Sequence, residues 1–207
     1  MMTMSPKLLI PLFALAILLS ACTTSVVTNE DRELPMPTEL EGLRDSRSTF
    51  TGTLNEVLSD SLFAFVGSKG DIISHECKFN EFTTEVVFDN GMPVSLTASI
   101  AINSLETDTG KLTAHLLTDD FFSAETYETA TFESTSIVMN KGEDFTVTGT
   151  LTIKDVSNEE VITMVINEEY VQASHTIDRT AYSIGGPTEG LKAVNAAIPL
   201  EIKVELQ

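Results

Sequence analysis

Between residues 145 and 153 the chain reads "FTVTGTLTI". Phe145, Val147, Gly149, Leu151 and Ile153 face one way, and four threonines face the other. A period of two is the mark of a strand that buries one face. Residues 196–206, "AAIPLEIKVEL", repeat the pattern, with Ala196, Ile198, Leu200, Ile202, Val204 and Leu206 on one side. Pro199 lacks an amide hydrogen and belongs at a sheet edge, a bulge or a strand start. Further strand-like runs lie at 49–57, 61–66, 82–89, 94–104, 130–139, 161–167 and 170–177. "SKGD", "DNGMP", "NKGED" and "DVSNEE" supply turns between several of them. After the first few dozen residues no long helical period appears. A short helical turn is predicted near 119–127, where Asp119 or Asp120 could cap the following amides. About eight antiparallel strands, each apolar on one face, predict an all-β domain, either a sandwich or a closed barrel. A barrel of that size holds its own side chains or one small ligand.

The N-terminus departs from this pattern. Lys7 precedes "LLIPLFALAILLSAC", an apolar run shorter than the roughly 20 residues that span a bilayer. A basic residue, a short apolar run and small residues predict a secretory signal peptide over 1–21. Leu19-Ser20-Ala21-Cys22 resembles a bacterial lipobox, which makes Cys22 the site of lipid attachment. Residues 22–47 are polar, contain two prolines and show no sustained period, and read as a flexible tether to a domain over 48–207. About 25 such residues span on the order of 25–30 Å. The membrane is thus an expected partner through the N-terminal anchor. Thr23, with no acidic residue after the cysteine, points by analogy to the outer membrane.

Charge and cysteine narrow the function. The chain carries 31 acidic and 12 basic residues, a net charge of −19. Nucleic acid is excluded as an expected partner, because phosphate binding needs clustered Lys and Arg. With Cys22 acylated, Cys77 has no disulfide partner and reads as a small buried apolar residue.

Candidate chemistry is sparse. His75, His115 and His175 are far apart, and no paired-cysteine or H-E-x-x-H spacing occurs, so no metal site is expected. No nucleophile elbow or phosphate loop is present, and no catalytic residue is assigned. Asp119-Asp120, Glu159-Glu160 and Glu168-Glu169 read as caps and solvated faces, since adjacent carboxylates in a strand point to opposite sides. "HLLTDDFF", residues 115–122, is not expected to be a metal site built on His115.

Several segments resemble one family. "FAFVGSKGDIISHECKF" (63–79) is similar to the early region of the YceI-like bacterial secreted proteins. "SLETDTGKLTAHLLTDDFFSAETYETATFEST" (104–135) resembles that family's most characteristic stretch, a His-Leu pair followed by Asp-Phe-Phe and Thr-Phe-x-Ser. "VTGTLTIKDVSNEEV", "IDRTAYSIG" and the last strand follow in the family's order. The departures are Glu76-Cys77 and Asp155, where glycines are frequent, and Glu128 for a proline.

The resemblance implies a lipocalin-like antiparallel β-barrel. It implies non-enzymatic binding of a long-chain apolar lipid, polyisoprenoid-like, in the periplasm, with no cofactor. Leu116, Phe121, Phe122, Phe132, Phe145, Val147, Leu151, Ile153, Ile198 and Leu200 are then the candidates for contact with the ligand. Arg179 and Tyr182 either hold a polar head or pair within the scaffold. The alternatives are a structural envelope lipoprotein with a filled barrel, or an enzyme acting on a lipid or quinone inside it.

Overall fold

The computed structural model describes residues 49–207 except 56–58, 143, 187–188 and 190–192. The expected signal peptide, Cys22 and the tether lie outside the described residues.

Among the described residues eleven strands form one antiparallel sheet. They are β1 (Gly52–Leu54), β2 (Leu62–Lys69), β3 (Ile73–Phe79), β4 (Phe82–Asp89), β5 (Met92–Ala101), β6 (Leu105–Thr107), β7 (Thr129–Met139), β8 (Asp144–Ile153), β9 (Val156–Ile166), β10 (Tyr170–Asp178) and β11 (Ala197–Glu205). The expected eight and the observed eleven reconcile at two kinks and one short outlying strand, β1. Only Asn80 and Glu81 separate β3 from β4, and a 3-10 turn, Ile102–Ser104, separates β5 from β6. Across these joints the Asn80 amide bonds the Ser104 carbonyl and the Ala101 amide bonds the Glu81 carbonyl. With each pair taken as one bent strand nine remain: eight run round a ring that closes through β11–β2 and β2–β3, and the three-residue β1 pairs with β4 outside it. The fold is thus a curled all-β barrel: all-β as the alternation predicted, and a barrel as the resemblance implied.

The alternation holds where it was cleanest. In β8, Phe145, Val147, Gly149 and Ile153 are buried and Thr150 is exposed. Pro199 pairs with Thr176 of β10, while pairing with β2 begins one residue later at Leu200, so its missing amide hydrogen costs no bond to β2. The β4–β5 hairpin turns through Asn90 and Gly91, both at positive φ, as "DNG" predicts. Residues 119–126 form turns, but the helix lies earlier, as α1 (Gly110–Leu116). Its cap is Thr109, whose hydroxyl accepts from the Leu112 amide, rather than Asp119 or Asp120. Strand β3 was not foreseen.

Two apolar clusters divide the interior. The upper one gathers Phe79, Ile100, Ile102, Phe122, Ile153, Ile177 and Ile198 beneath α1. The lower one gathers Val86, Phe88, Leu96, Phe132, Phe145, Val147 and Val204.

Candidate ligand cavity

The upper half contains a cavity of about 710 Å³. Its walls come from alternate residues of the strands. Phe63, Phe65 and Gly67 of β2 face His75, Cys77 and Phe79 of β3, in register as Phe63↔Phe79, Phe65↔Cys77 and Gly67↔His75. Phe65, Phe79 and Phe122 form a mutual aromatic cluster, with centroids 5.7, 6.3 and 6.1 Å apart and two of the three pairs edge to face. Such pairs favour a rigid wall over a collapsible one. A Cβ placed on Gly67 would meet nothing within 4 Å, so this position opens onto free space.

The "HLLTDDFF" stretch forms part of the mouth. The Phe122 and Ala124 amides return to the carbonyls of Leu116 and Leu117, folding residues 117–124 back on the end of α1. This turn carries Leu116, Phe121 and Phe122 into the cavity wall. His115 stands exposed at the rim with its ring edge-on to Phe121, 5.1 Å between centroids. Among the described residues no group of three or more His, Cys, Asp or Glu could hold a metal ion.

The remaining candidates divide by depth. Leu151, Ile153, Ile198 and Leu200 line the cavity. Phe132, Phe145 and Val147 do not reach it. They point inward, as alternation requires, but sit in the lower cluster, where packing leaves a second void of only 60 Å³. Gly149 belongs to that packed region: a Cβ there would lie 2.4 Å from Phe132 Cζ and 2.7 Å from the Glu133 carbonyl oxygen.

Arg179 is buried and donates to backbone carbonyls throughout. Nε reaches Asn195 at 2.9 Å, Nη1 reaches Ile184 at 2.6 Å and also Gly185, and Nη2 reaches Gly186 at 3.2 Å and Val194 at 2.9 Å. Burial draws its pKa down. Its donors are spent on tying Ile184, Gly185, Gly186, Val194 and Asn195 to the barrel, which is scaffold work. Gly185 packs against the Asp120 carbonyl so closely that a Cβ would lie 1.7 Å from that oxygen.

Tyr182 is fully buried. Its hydroxyl donates to Glu160 Oε1 at 2.5 Å, and Glu160 Oε2 lies 3.0 Å from His175 Nε2. Burial, then Glu160, pushes the Tyr182 phenol well above its ordinary range. Glu160 therefore corrects the reading of Glu159-Glu160 as a solvated pair. Glu159 is exposed, but Glu160 lies on the inner face of β9. The physical reason is a seam. Strands β9 and β10 share only three residue pairs, Val171↔Ile166 to Ala173↔Met164, and beyond them side chains bridge the gap. Glu160 takes His175 and Tyr182, Asn158 donates to the Ala181 carbonyl, and Lys154 to that of Ser183.

At the mouth, His75 Nδ1 lies 2.9 Å from Asp108 Oδ2. Cys77, two residues along the same face, is buried, and that burial pushes its thiol up to about 11. At neutral pH it is a thiol, not a nucleophilic thiolate. Glu76, the other departure at this point, is exposed and leaves the mouth clear.

Phe63, Phe65, Gly67, Phe79, Ile100 and Ile177 line the cavity and were missed. The signal was present in "FAFVG", where Phe63, Phe65 and Gly67 alternate, but the partner strand β3 was needed to show which face was inner.

An antiparallel barrel that encloses an apolar cavity at one end defines a lipocalin-like protein. The YceI-like domain model matches residues 47–206, and the chain belongs to that family. A UPF0312 protein of Photorhabdus laumondii is 34% identical over 86 residues, 41% of this chain and 44% of the relative. One of Shewanella sp. (strain W3-18-1) is 28% identical over 82 residues, 39% and 43%. The chain thus spans less than half the length of these curated relatives. Among solved structures, Burkholderia cenocepacia BcnA superposes with a TM-score of 0.66 at 22% identity, covering 73% of this chain and 100% of the other. A domain from Saccharophagus degradans, described as polyisoprenoid-binding and implicated in plant cell wall breakdown, gives 0.58 at 16% identity, covering 76% and 99%.

Proposed function

We propose that this YceI-like barrel binds one long apolar lipid chain, polyisoprenoid-like, without catalysing a reaction on it. The observation that carries the reading is the cavity of about 710 Å³, walled by phenyl rings and branched aliphatic side chains. Burying a methylene there contributes roughly 0.8 kcal/mol, so a long chain gains affinity with length. The description of the Saccharophagus domain as polyisoprenoid-binding supports the same class of ligand. The filled-barrel alternative describes only the lower half of this molecule. The enzyme alternative needs a reactive group facing the ligand. Cys77 is held as the thiol, and Tyr182 is buried with its hydroxyl bonded to Glu160.

The same proposal places the protein in the periplasm, anchored through acylated Cys22 and most simply on the outer membrane. Cys22→Ser is expected to abolish labelling by a fatty-acid probe and release the protein from the membrane fraction. Equal labelling of both forms would remove the anchor.

The binding test uses protein purified from its own host and native mass spectrometry. Wild type is expected to carry a lipid mass. Gly67→Phe, which places a ring in open space at the mouth, is expected to lose it while unfolding at the wild-type temperature. A wild type without lipid, or equal loading of the two, would overturn the reading.

A further inference from the structure

We infer that the tip of the β2–β3 hairpin is a membrane-contact site, with Ile72 and Ile73 entering the interfacial layer of a zwitterionic bilayer. The site lies on the outer surface and goes beyond the proposed binding of a ligand. Ile72 is 94% exposed and Ile73 48%. Of the large apolar side chains exposed among the described residues, only these two stand at the mouth. Val94, Val138 and Met139 lie toward the lower end, and Val161 lies midway along β9. Ile73 continues the spacing of Phe79, Cys77 and His75 and pairs with Lys69. His75 and Lys69 line the cavity, so β3 carries its inner face one step past the rim. The tip is fixed in place. Gly70 turns the chain at positive φ. Its amide donates to Asn195 Oδ1, and Asn195 Nδ2 donates to Ser68 Oγ and to the Gly70 carbonyl. The Asn195 amide donates to the Ser68 carbonyl, while its own carbonyl accepts from buried Arg179. Ile72 is thus presented by a network rooted in the core, and little ordering remains to be done on contact. Two isoleucines offer far less area than the roughly 1,000 Å² of a stable protein interface. An interfacial layer accepts so small an apolar wedge, with affinity set by the apolar area buried. Charge selects the lipid. Around the mouth Asp71, Asp108, Asp119 and Asp120 outweigh Lys69 and Lys111, so anionic headgroups are repelled and zwitterionic ones fit.

The chain contains no tryptophan, so Ile72→Trp installs a single reporter at the tip. The full chain is mixed with phosphatidylethanolamine–phosphatidylcholine vesicles whose acyl chains are brominated. Emission from Ile72→Trp is expected to shift to the blue and to be quenched. Val138→Trp, exposed near the lower end of β7, is the control and is expected to stay unquenched. The native side chain is tested in the Cys22→Ser background, which removes any acyl anchor. There Ile72→Ser is expected to partition into the same vesicles about tenfold more weakly, with an unchanged unfolding temperature. Quenching that is equal at the two positions, or absent at both, would overturn the contact. So would equal partitioning of Ile72→Ser and its parent, or binding that strengthens as phosphatidylglycerol is added. The contact does not depend on a ligand, so protein that native mass spectrometry finds empty and that still docks through Ile72 would support it.

Discussion

Strand β8 passes through both halves of the barrel, and its residues share one inner face under two packing regimes. Phe145 and Val147 are locked in the lower cluster, while Leu151 and Ile153, a few residues on, border free volume. The hydrophobic pattern is the same in both. What differs is the partner opposite. In the lower half Phe132 lies directly over Gly149 and fills the place a side chain would take. In the upper half Gly67 has nothing over it. Two inward glycines, one roofed by an aromatic ring and one open, mark where the barrel is a core and where it is a container.

The largest expected effect is therefore a matched pair. Gly149→Val should cost about 3 kcal/mol, since both a ring and a backbone carbonyl must move. Gly67→Val should lie within about 0.5 kcal/mol of wild type, or stabilise slightly through strand propensity. Urea unfolding midpoints decide it, and equal losses at the two sites would erase the distinction between halves. Gly149→Ala should also be destabilising, because the Glu133 carbonyl lies 2.7 Å from the new carbon.

Next comes the seam beside the cavity. Tyr182→Phe removes a hydroxyl bonded to partly buried Glu160 and should cost about 1–2 kcal/mol by the same measurement. It also sharpens a pH effect. An unfolded tyrosine ionises near its ordinary 10.0, and the folded phenol does so only at higher pH. The stability it contributes is whole below pH 10.0 and is lost as pH rises towards the folded value. Wild type should thus lose stability above that pH more steeply than Tyr182→Phe, in thermal scans across the alkaline range. Parallel curves would show that this phenol is not the group responsible.

The smallest effect on the fold is the most local probe of the open half. Alkylation of Cys77 should be slow at neutral pH and accelerate about tenfold per pH unit up to about 11, instead of levelling near an ordinary thiol value. A bound chain should slow it further. Levelling below pH 9 would mean a more solvated wall than the structure has.

Much of the fold could be read from the chain because period-two alternation reports which face is buried. That is why β7, β8 and β11 were legible. Strand β3 was not, because its inner residues are His75, Cys77 and Phe79, a mixture that carries no hydrophobic period, and Ile73 at its start is exposed. Helix α1 was missed for a related reason. It buries no residue fully, and its one sign was the Leu112–Leu116 spacing behind Thr109. Depth was the harder problem. Phe145 and Ile153 occupy the same face of one strand, and nothing in their spacing tells which borders a void. That information lies in the residues across the barrel.

The seam between β9 and β10 has a consequence in time. A ring of strands breathes where its ladder is shortest, and here three residue pairs stand between a closed barrel and an unrolled sheet. Strands β8 and β9, by contrast, share ten pairs. Amide exchange should therefore be faster along the seam line, where Glu160 bonds His175 of β10 and Asn158 and Lys154 bond the carbonyls of Ala181 and Ser183 just beyond it, than along the β8–β9 ladder. The first step of unfolding is then an unrolling from that line, with the β7–β8–β9 meander still intact.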